Sequence, residues 1–480
     1  MKCVFMVPPS FNIIRESLLD TVEDASCLFP PLGLLMVAAY AEVIETVEVS
    51  VIDCQAEHLS WEDISQRIIM EKPDVVGIQA MTFTLIDAYL LAKLIKELYS
   101  ESIVVMGGPH PTLYPGETVR HPYVDYVIYG EGEFAIQGLL TALLNGTSPD
   151  VVPGVVTKKT DISQLSLRYI EDLDRLLPPA RHLINNKLYF SSLASTDYVT
   201  TMMSSRGCPG MCTFCDRPQM GKRFRKRSAK NVFLEMRDCI EKFGIKEITF
   251  YDDTFTIDKQ RVIDLCTLIR EAKLDIRWEI RARIDTMTKE MIKSLGQSGC
   301  TRIHYGVETG VERIQRYIKK NLDLSKIESV MKETKRNGIE TLGYFMLGLP
   351  SETLQEMEKT IDFMCSLPLD FAHITTFIPY PGTEAYKDAI NNGLINHDYW
   401  REFAENPKPN FMPPAWEEIL DSELLHHIMK KAYKKFYFRP SYLLERILKV
   451  RSIKEFWKKG NIGVGLFIDT CLRSNRYRHK

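Results

Sequence analysis

No apolar run in this 480-residue chain approaches the roughly 20 residues that a membrane-spanning helix needs. After Met1 a single short apolar run ends at Pro8-Pro9, too short for a secretion signal, so a cytoplasmic location is expected. In that reducing compartment thiols stay free and disulfides are not expected. Charge of one sign is lacking too. Lys and Arg number 61 against 63 Asp and Glu, a net of −2, so nothing pulls the whole chain toward nucleic acid, and no nucleic-acid partner is expected. No internal repeat or low-complexity tract interrupts it. What remains is an ordinary globular composition, 45% hydrophobic and 26% charged, long enough for two to four domains.

The eleven cysteines are scattered, with one exception. Cys3, Cys27, Cys54, Cys239, Cys266, Cys300, Cys365 and Cys471 mostly lie in apolar runs and read as core thiols. Cys208, Cys212 and Cys215 stand together as C-x3-C-x2-C in the stretch Ser204–Lys222. A strand-like run, Tyr198–Met203, leads in, and Gly207, Pro209 and Gly210 let the loop fold back. Three thiolates on one loop can hold three irons of a [4Fe–4S] cube, leaving the fourth iron for a bound substrate or cofactor. A structural zinc ion or free thiols are the alternatives. Structural zinc usually takes four ligands in paired spacings, and no nearby Cys or His completes the set.

With Phe214 just before the last cysteine, this loop resembles that of the radical S-adenosylmethionine enzymes, and the resemblance runs from about Tyr198 to Tyr386. It implies that the open iron binds the amino and carboxylate groups of S-adenosylmethionine. An electron from the cluster then cleaves the sulfonium to give a 5′-deoxyadenosyl radical.

Residues 1–149 alternate short apolar strands (Cys3–Val7, Val47–Asp53, Val75–Ala80, Ile103–Met106, Tyr123–Tyr129) with helical patterns (Leu32–Ile44, Trp61–Met70, Ile86–Tyr99, Glu133–Leu144). That alternation argues an α/β, Rossmann-like (flavodoxin-like) parallel sheet covered on both faces, with any ligand at the carboxyl ends of its strands. Such a sheet could bind a nucleotide, a flavin or nothing. The segments Phe29–Leu34, Met106–His110 and Gly130–Glu133 resemble the cobalamin-binding domain that precedes many radical S-adenosylmethionine cores. The resemblance implies cobalamin contacts from Gly107, Gly108, His110, Gly130, Glu131 and Gly132. The D-x-H-x-x-G signature is absent: His58 is displaced by three in Asp53–His58, so no lower axial histidine is assigned.

A connector is expected over 150–197, then a partial (β/α)6 TIM-type barrel over 198–392, whose six strand–helix units fall short of a closed eight. The resemblance places the amino group of S-adenosylmethionine near Asp252 and Asp253, the ribose near Glu308 and the adenine near Gly348. Glu279 and Arg281 alternate with Ile280 and share one strand face, where charges need partners. Arg281 therefore fits a clamp for the carboxylate of S-adenosylmethionine, with an ion pair to Glu279 or Asp252 as the alternative. Arg223, Arg225, Lys226 and Arg227 form either a solvated face or a docking site for an acidic electron donor such as a flavodoxin or ferredoxin.

A helical segment is expected over 393–480, with helices at Glu417–Phe436 and Ser441–Val450. From Lys430 onward it carries 15 Lys and Arg against 3 Asp and Glu, with Phe456 and Trp457 among the interleaved apolar residues. It reads as a lid over the barrel mouth with a basic outer face. The alternative is a membrane-surface patch, which a lipid-like substrate would favour over another small molecule. Together these features are similar to cobalamin-binding radical S-adenosylmethionine enzymes that methylate an unactivated carbon. Oxidative cyclisation, as in the anaerobic magnesium-protoporphyrin IX monomethyl ester cyclases, and hopanoid modification share the layout. A non-catalytic iron–sulfur or cobalamin sensor is the reading from another class, and Asp252, Arg281 and Glu308 argue against it.

Overall fold

The computed structural model describes residues 1–14, 27–216, 220–409, 411–413, 416, 418, 421–449 and 463–472. Runs of Val, Ile and Phe at the start of the chain form strands buried on both faces. They are β1 (Lys2–Val7), β2 (Glu48–Asp53), β3 (Val75–Gln79), β4 (Ile103–Gly107) and β5 (Tyr126–Ile128), with a sixth, β6 (Val155–Val156). The order is β2-β1-β3-β4-β5-β6, parallel apart from the antiparallel β6. Leu35, Ala38 and Leu139 cover one face, and Ile64, Leu91 and Ile95 the other. The strand order reverses between β1 and β3, which opens a crevice at their carboxyl ends. β6 lies in the stretch read as connector. Two residues are too few to show a period.

The second sheet contains β7 (Thr200–Met202), β10 (Glu247–Phe250), β11 (Arg277–Ala282), β12 (Cys300–Glu308), β13 (Glu340–Leu347) and β14 (Phe371–Thr376). They pair in chain order, all parallel, with helices between successive strands from β10 onward. Helix ends fall at glycines in left-handed backbone, as at Gly244 with φ +67°. Between β7 and β10 lies a small antiparallel hairpin, β8 (Ser205–Arg206) with β9 (Arg225–Lys226), which brackets the cysteine loop.

Six strands leave β14 as an edge with free peptide groups, an unstable arrangement if exposed. The helix Ser422–Tyr437 lies along this edge, not across the mouth as a lid would. The Tyr433 hydroxyl accepts from Ile374 N and donates to Ile374 O, both at 3.0 Å. Tyr437 does the same at Ala372, at 3.1 and 2.8 Å, and Tyr442 donates to Asp370 O at 2.9 Å. Basic residues here have acidic partners: Lys431 pairs with Glu358, Lys435 with Asp362 and Arg446 with Asp370. Val450, Phe456, Trp457 and, apart from Glu418, the expected helix ahead of Asp421 lie outside the described residues, as does the Cys471 side chain.

The two sheets are joined by buried polar contacts. Arg181, 1% exposed, donates to Thr200 Oγ1, Thr201 O and Glu235, each at 2.7 Å. Tyr189 donates to Asp53 Oδ2 at 3.0 Å. Cys3, Cys54, Cys239, Cys266 and Cys300 are buried as read, whereas Cys27 is exposed and Cys365 partly so.

Candidate iron–sulfur and S-adenosylmethionine centre

The cysteine loop turns on Gly207, at φ +82°. A Cβ there would sit 2.4 Å from Arg223 O and 2.7 Å from Gly221 O, so no other residue closes the loop. Cys208 N donates to Gly221 O, Thr213 N to Ile318 O and Ala385 N to Thr213 O, at 3.0–3.2 Å. These bonds pin the loop to the barrel. Gly210 N donates to Cys208 Sγ at 3.4 Å, and Thr254 Oγ1 lies 3.7 Å from the same sulfur. Arg283 Nη1 donates to Cys212 Sγ at 3.8 Å.

Burial pushes the Cys212 thiol up, though Lys320 and Arg283 oppose it. Cys215 is exposed to solvent, yet the protein crowded around it, with Asp253 and the other two cysteines adding, pushes its thiol up. These are neutral thiols that a bound metal would deprotonate. Among the described residues no three His, Cys, Asp or Glu converge on one ion-sized point. The thiolates of an iron–sulfur cube each hold a different iron and so need no common point. One loop, three sulfurs, sulfur-directed N–H donors and adjacent cations fit such a group.

The barrel strand ends bring further expected residues beside the loop. Asp252 is fully buried and engaged: it accepts from Ser204 N at 2.7 Å and from the Ser204 and Ser205 hydroxyls at 2.5 Å. Its neighbour Asp253 is the accessible carboxylate. It lies beside Gly207 and the cysteines, and its surroundings and then Asp252 raise its carboxyl. Glu279 is not the partner of Arg281. It accepts from Arg302 at 2.8 Å and Thr249 at 2.8 Å and lies 3.3 Å from His304. Burial alone would push Glu279 up, but these partners overcome it and hold it down to about 2.

Among the described residues no carboxylate lies within ion-pair distance of Arg281. Its guanidinium stacks 4.0 Å from the Tyr251 ring, with Tyr344 also close by. Phe29 meets Tyr251 edge-on at 5.5 Å, which brings the first sheet's side of the molecule to the same place. Glu308, 7% exposed, ends β12 with φ +69° and pairs with Lys320. A Cβ on Gly306 would lie 2.5 Å from both charged groups, so a larger residue there would push this pair aside. Lys320 also lies 5.8 Å from the Phe214 ring.

Gly348 has its N–H taken by Glu352 Oε2 at 2.9 Å, which also accepts from Leu349 N at 3.1 Å. The turn is buried, with the Leu425 side chain 2.8 Å from where a Gly348 Cβ would stand. Burial pushes Glu352 up to about 8, so the folded chain keeps a proton that the unfolded chain loses near pH 4.5. Its stabilising share is complete below pH 4.5 and is lost as pH rises through 8. The expected result is a melting temperature that falls from pH 5 to 8, and falls less in Glu352→Gln, which keeps the acceptor oxygen. Thermal melts of the two proteins across that range check it.

At the first sheet the picture differs from expectation at Glu131. Instead of facing a cofactor, it is buried and holds the hairpin: Arg225 donates at 3.0 and 2.7 Å, Ile170 N at 2.6 Å, and Arg206 lies 3.2 Å away. Glu133 pairs with Arg206 as well. The basic run is correspondingly occupied, since Arg227 pairs with Glu235, Lys226 with Asp258 and Arg223 with Glu171. Gly130 N donates to Thr112 Oγ1 at 3.2 Å, and a Cβ on Gly132 would press on Val37 at 3.0 Å. Gly108, at φ +112°, passes close to Ala80 O. Gly107 is more open, with nothing nearer its absent Cβ than Ile128 at 3.5 Å.

His110 is fully buried. Its Nδ1 is 3.2 Å from Thr82 Oγ1, its Nε2 has no partner, and burial drives its pKa down to about 3. Gln79 Oε1, on the adjacent strand end, is also buried without a partner. Orphaned polar atoms on neighbouring strand ends fit the polar tail of a cofactor. His58 sits in a loop with φ +53°.

Two positions escaped notice in the sequence: Arg283 and Lys320. A signal existed for Arg283, because the two-residue period of Glu279 and Arg281 runs on to it. Lys320 lies in a turn, where period carries nothing.

Residues 202–364 match the Radical SAM superfamily and residues 21–140 the B12 binding domain. The chain is 35% identical, over 93% of its length and 95% of the other's, to an uncharacterized methyltransferase of Pyrococcus horikoshii. It is 24% identical, over 86% and 75%, to the anaerobic magnesium-protoporphyrin IX monomethyl ester cyclase of Rubrivivax gelatinosus. Its fold matches a radical S-adenosylmethionine methyltransferase, TsrM, from Kitasatospora setae, solved with cobalamin and a [4Fe–4S] cluster. The TM-score is 0.70 at 14% identity over 98% of both chains. The cysteine loop at the mouth of an open parallel barrel, the crevice in a doubly covered sheet beside it, and these likenesses agree: the chain belongs to the cobalamin-binding radical S-adenosylmethionine enzymes, with a [4Fe–4S] cluster, S-adenosylmethionine and cobalamin as cofactors.

Proposed function

We propose that this enzyme transfers a methyl group to an unactivated carbon of a small organic substrate. The observation that carries the site assignment is Arg281, a charged guanidinium on an aromatic ring, without a carboxylate partner among the described residues, at the mouth that also holds the cysteine loop. Cys208, Cys212 and Cys215 hold the cluster. Arg281 takes the carboxylate of S-adenosylmethionine, Asp253 its amino group, Glu308 the ribose, and the Gly348 turn the adenine. Gly107, Gly108 and His110 face the cobalamin. The cofactors supply radical formation and the methyl carrier; the protein orients them and keeps water out. A one-electron donor of the flavodoxin or ferredoxin class supplies the reducing electron. Leu443, Leu444 and Leu448 are exposed on the helix Pro440–Lys449, within the basic C-terminal segment. They support contact with a membrane surface and a lipid-like substrate.

Oxidative cyclisation is the second reading, supported by the likeness to the Rubrivivax gelatinosus cyclase. The two separate in an anaerobic assay of reconstituted protein with dithionite, cobalamin and S-adenosylmethionine, run against candidate substrates. Methyl transfer yields both 5′-deoxyadenosine and S-adenosylhomocysteine with a bound corrinoid spectrum. Deoxyadenosine without S-adenosylhomocysteine during substrate turnover would overturn methyl transfer in favour of cyclisation.

A further inference from the structure

We infer that Arg283 tunes the iron–sulfur cluster: its guanidinium donates an N–H to the Cys212 sulfur and makes the cluster easier to reduce. This rests on the three cysteines being the ligands. The fork of Arg283 is held from two sides. Nε and Nη2 donate to Asp285 at 3.0 and 2.8 Å, and Nη2 also donates to Lys320 O at 2.9 Å. That leaves Nη1 aimed at Cys212 Sγ, 3.8 Å away. Gly210 leaves room for the approach: a Cβ there would come within 3.3 Å of Cys208 Sγ and 3.7 Å of Arg283 Nη1.

The charges around the three sulfurs are uneven. Asp253 and Asp216 act on Cys215. Lys320 acts on Cys212, but its charge is matched by the buried Glu308. The counterion of Arg283, Asp285, is 46% exposed, so water screens it more than it screens the guanidinium, which is 19% exposed. Arg283 is thus a held cation against a ligand sulfur.

A [4Fe–4S]2+ cube with three thiolates carries a net charge of −1, and one electron from dithionite takes it to −2, with no bond made or broken. A cation and an N–H···S bond favour the more negative state and raise the potential. The test is a redox titration of the reconstituted protein without S-adenosylmethionine, monitored by electron paramagnetic resonance, with iron counted in each sample. Arg283→Met is expected to move the midpoint to more negative potential at wild-type iron content, with Arg283→Lys between. An unchanged midpoint at full iron content overturns the inference. So does iron loss in Arg283→Met, if the cluster it retains titrates as wild type does. Should Arg283→Met hold no cluster, Asp285→Asn decides: relieved of its counterion, Arg283 should move the midpoint positive, and no movement overturns the inference. A wild-type protein that takes up no iron would instead overturn the ligand assignment, and this inference with it.

Discussion

Exchange of Cys208, Cys212 and Cys215 for alanine is expected to remove the cluster completely while leaving the fold in place. The loop that carries them is closed by Gly207 and pinned by backbone bonds to Gly221, Ile318 and Ala385, none of which uses a sulfur. Removing one small, buried thiol such as Cys212 costs on the order of 1 kcal/mol of burial, which a chain of this size tolerates. Iron and sulfide per chain should fall to background, and circular dichroism should be unchanged. Iron at wild-type stoichiometry in the triple variant would place the cluster elsewhere.

Arg281→Ala is expected to weaken S-adenosylmethionine binding with the iron content intact. A charge-assisted hydrogen bond contributes about 1.5–3 kcal/mol, which is roughly a 10- to 150-fold loss in affinity. Arg281→Lys should recover little of this, because a point charge replaces neither the fork nor the stacking on Tyr251. Equilibrium binding of S-adenosylmethionine to anaerobic, cluster-loaded protein checks both variants. Unchanged affinity would move the clamp to another cation, and Lys320 is the next to examine.

What the sequence made legible follows from what local pattern encodes. The helix Glu133–Leu144 runs between the residues expected, because apolar periodicity is written into neighbouring positions. The cysteine loop was legible for the same reason: its spacing is short. Pairings across the fold were not. Glu131 and Arg225 stand 94 positions apart, and nothing local tells a carboxylate facing a cofactor from one clamping a hairpin. Of Asp252 and Asp253, adjacent and identical, one is buried under two serines and the other is accessible, a difference that arises only when β7 and β10 pair. The C-terminal helix was legible as a helix, but its place along β14 depends on three tyrosine hydroxyls that no hydrophobic pattern reports.

That last arrangement bears on how the chain is made. β14 is complete at Thr376, but Tyr433, Tyr437 and Tyr442 follow about 60 residues later. At roughly 5–20 residues per second, a ribosome presents the finished barrel with an uncovered border for several seconds before its cover emerges. During that interval the nascent chain is open to pairing with any other strand nearby. A message stalled or truncated between these points would yield a barrel with all its strands and no means of staying apart from its copies.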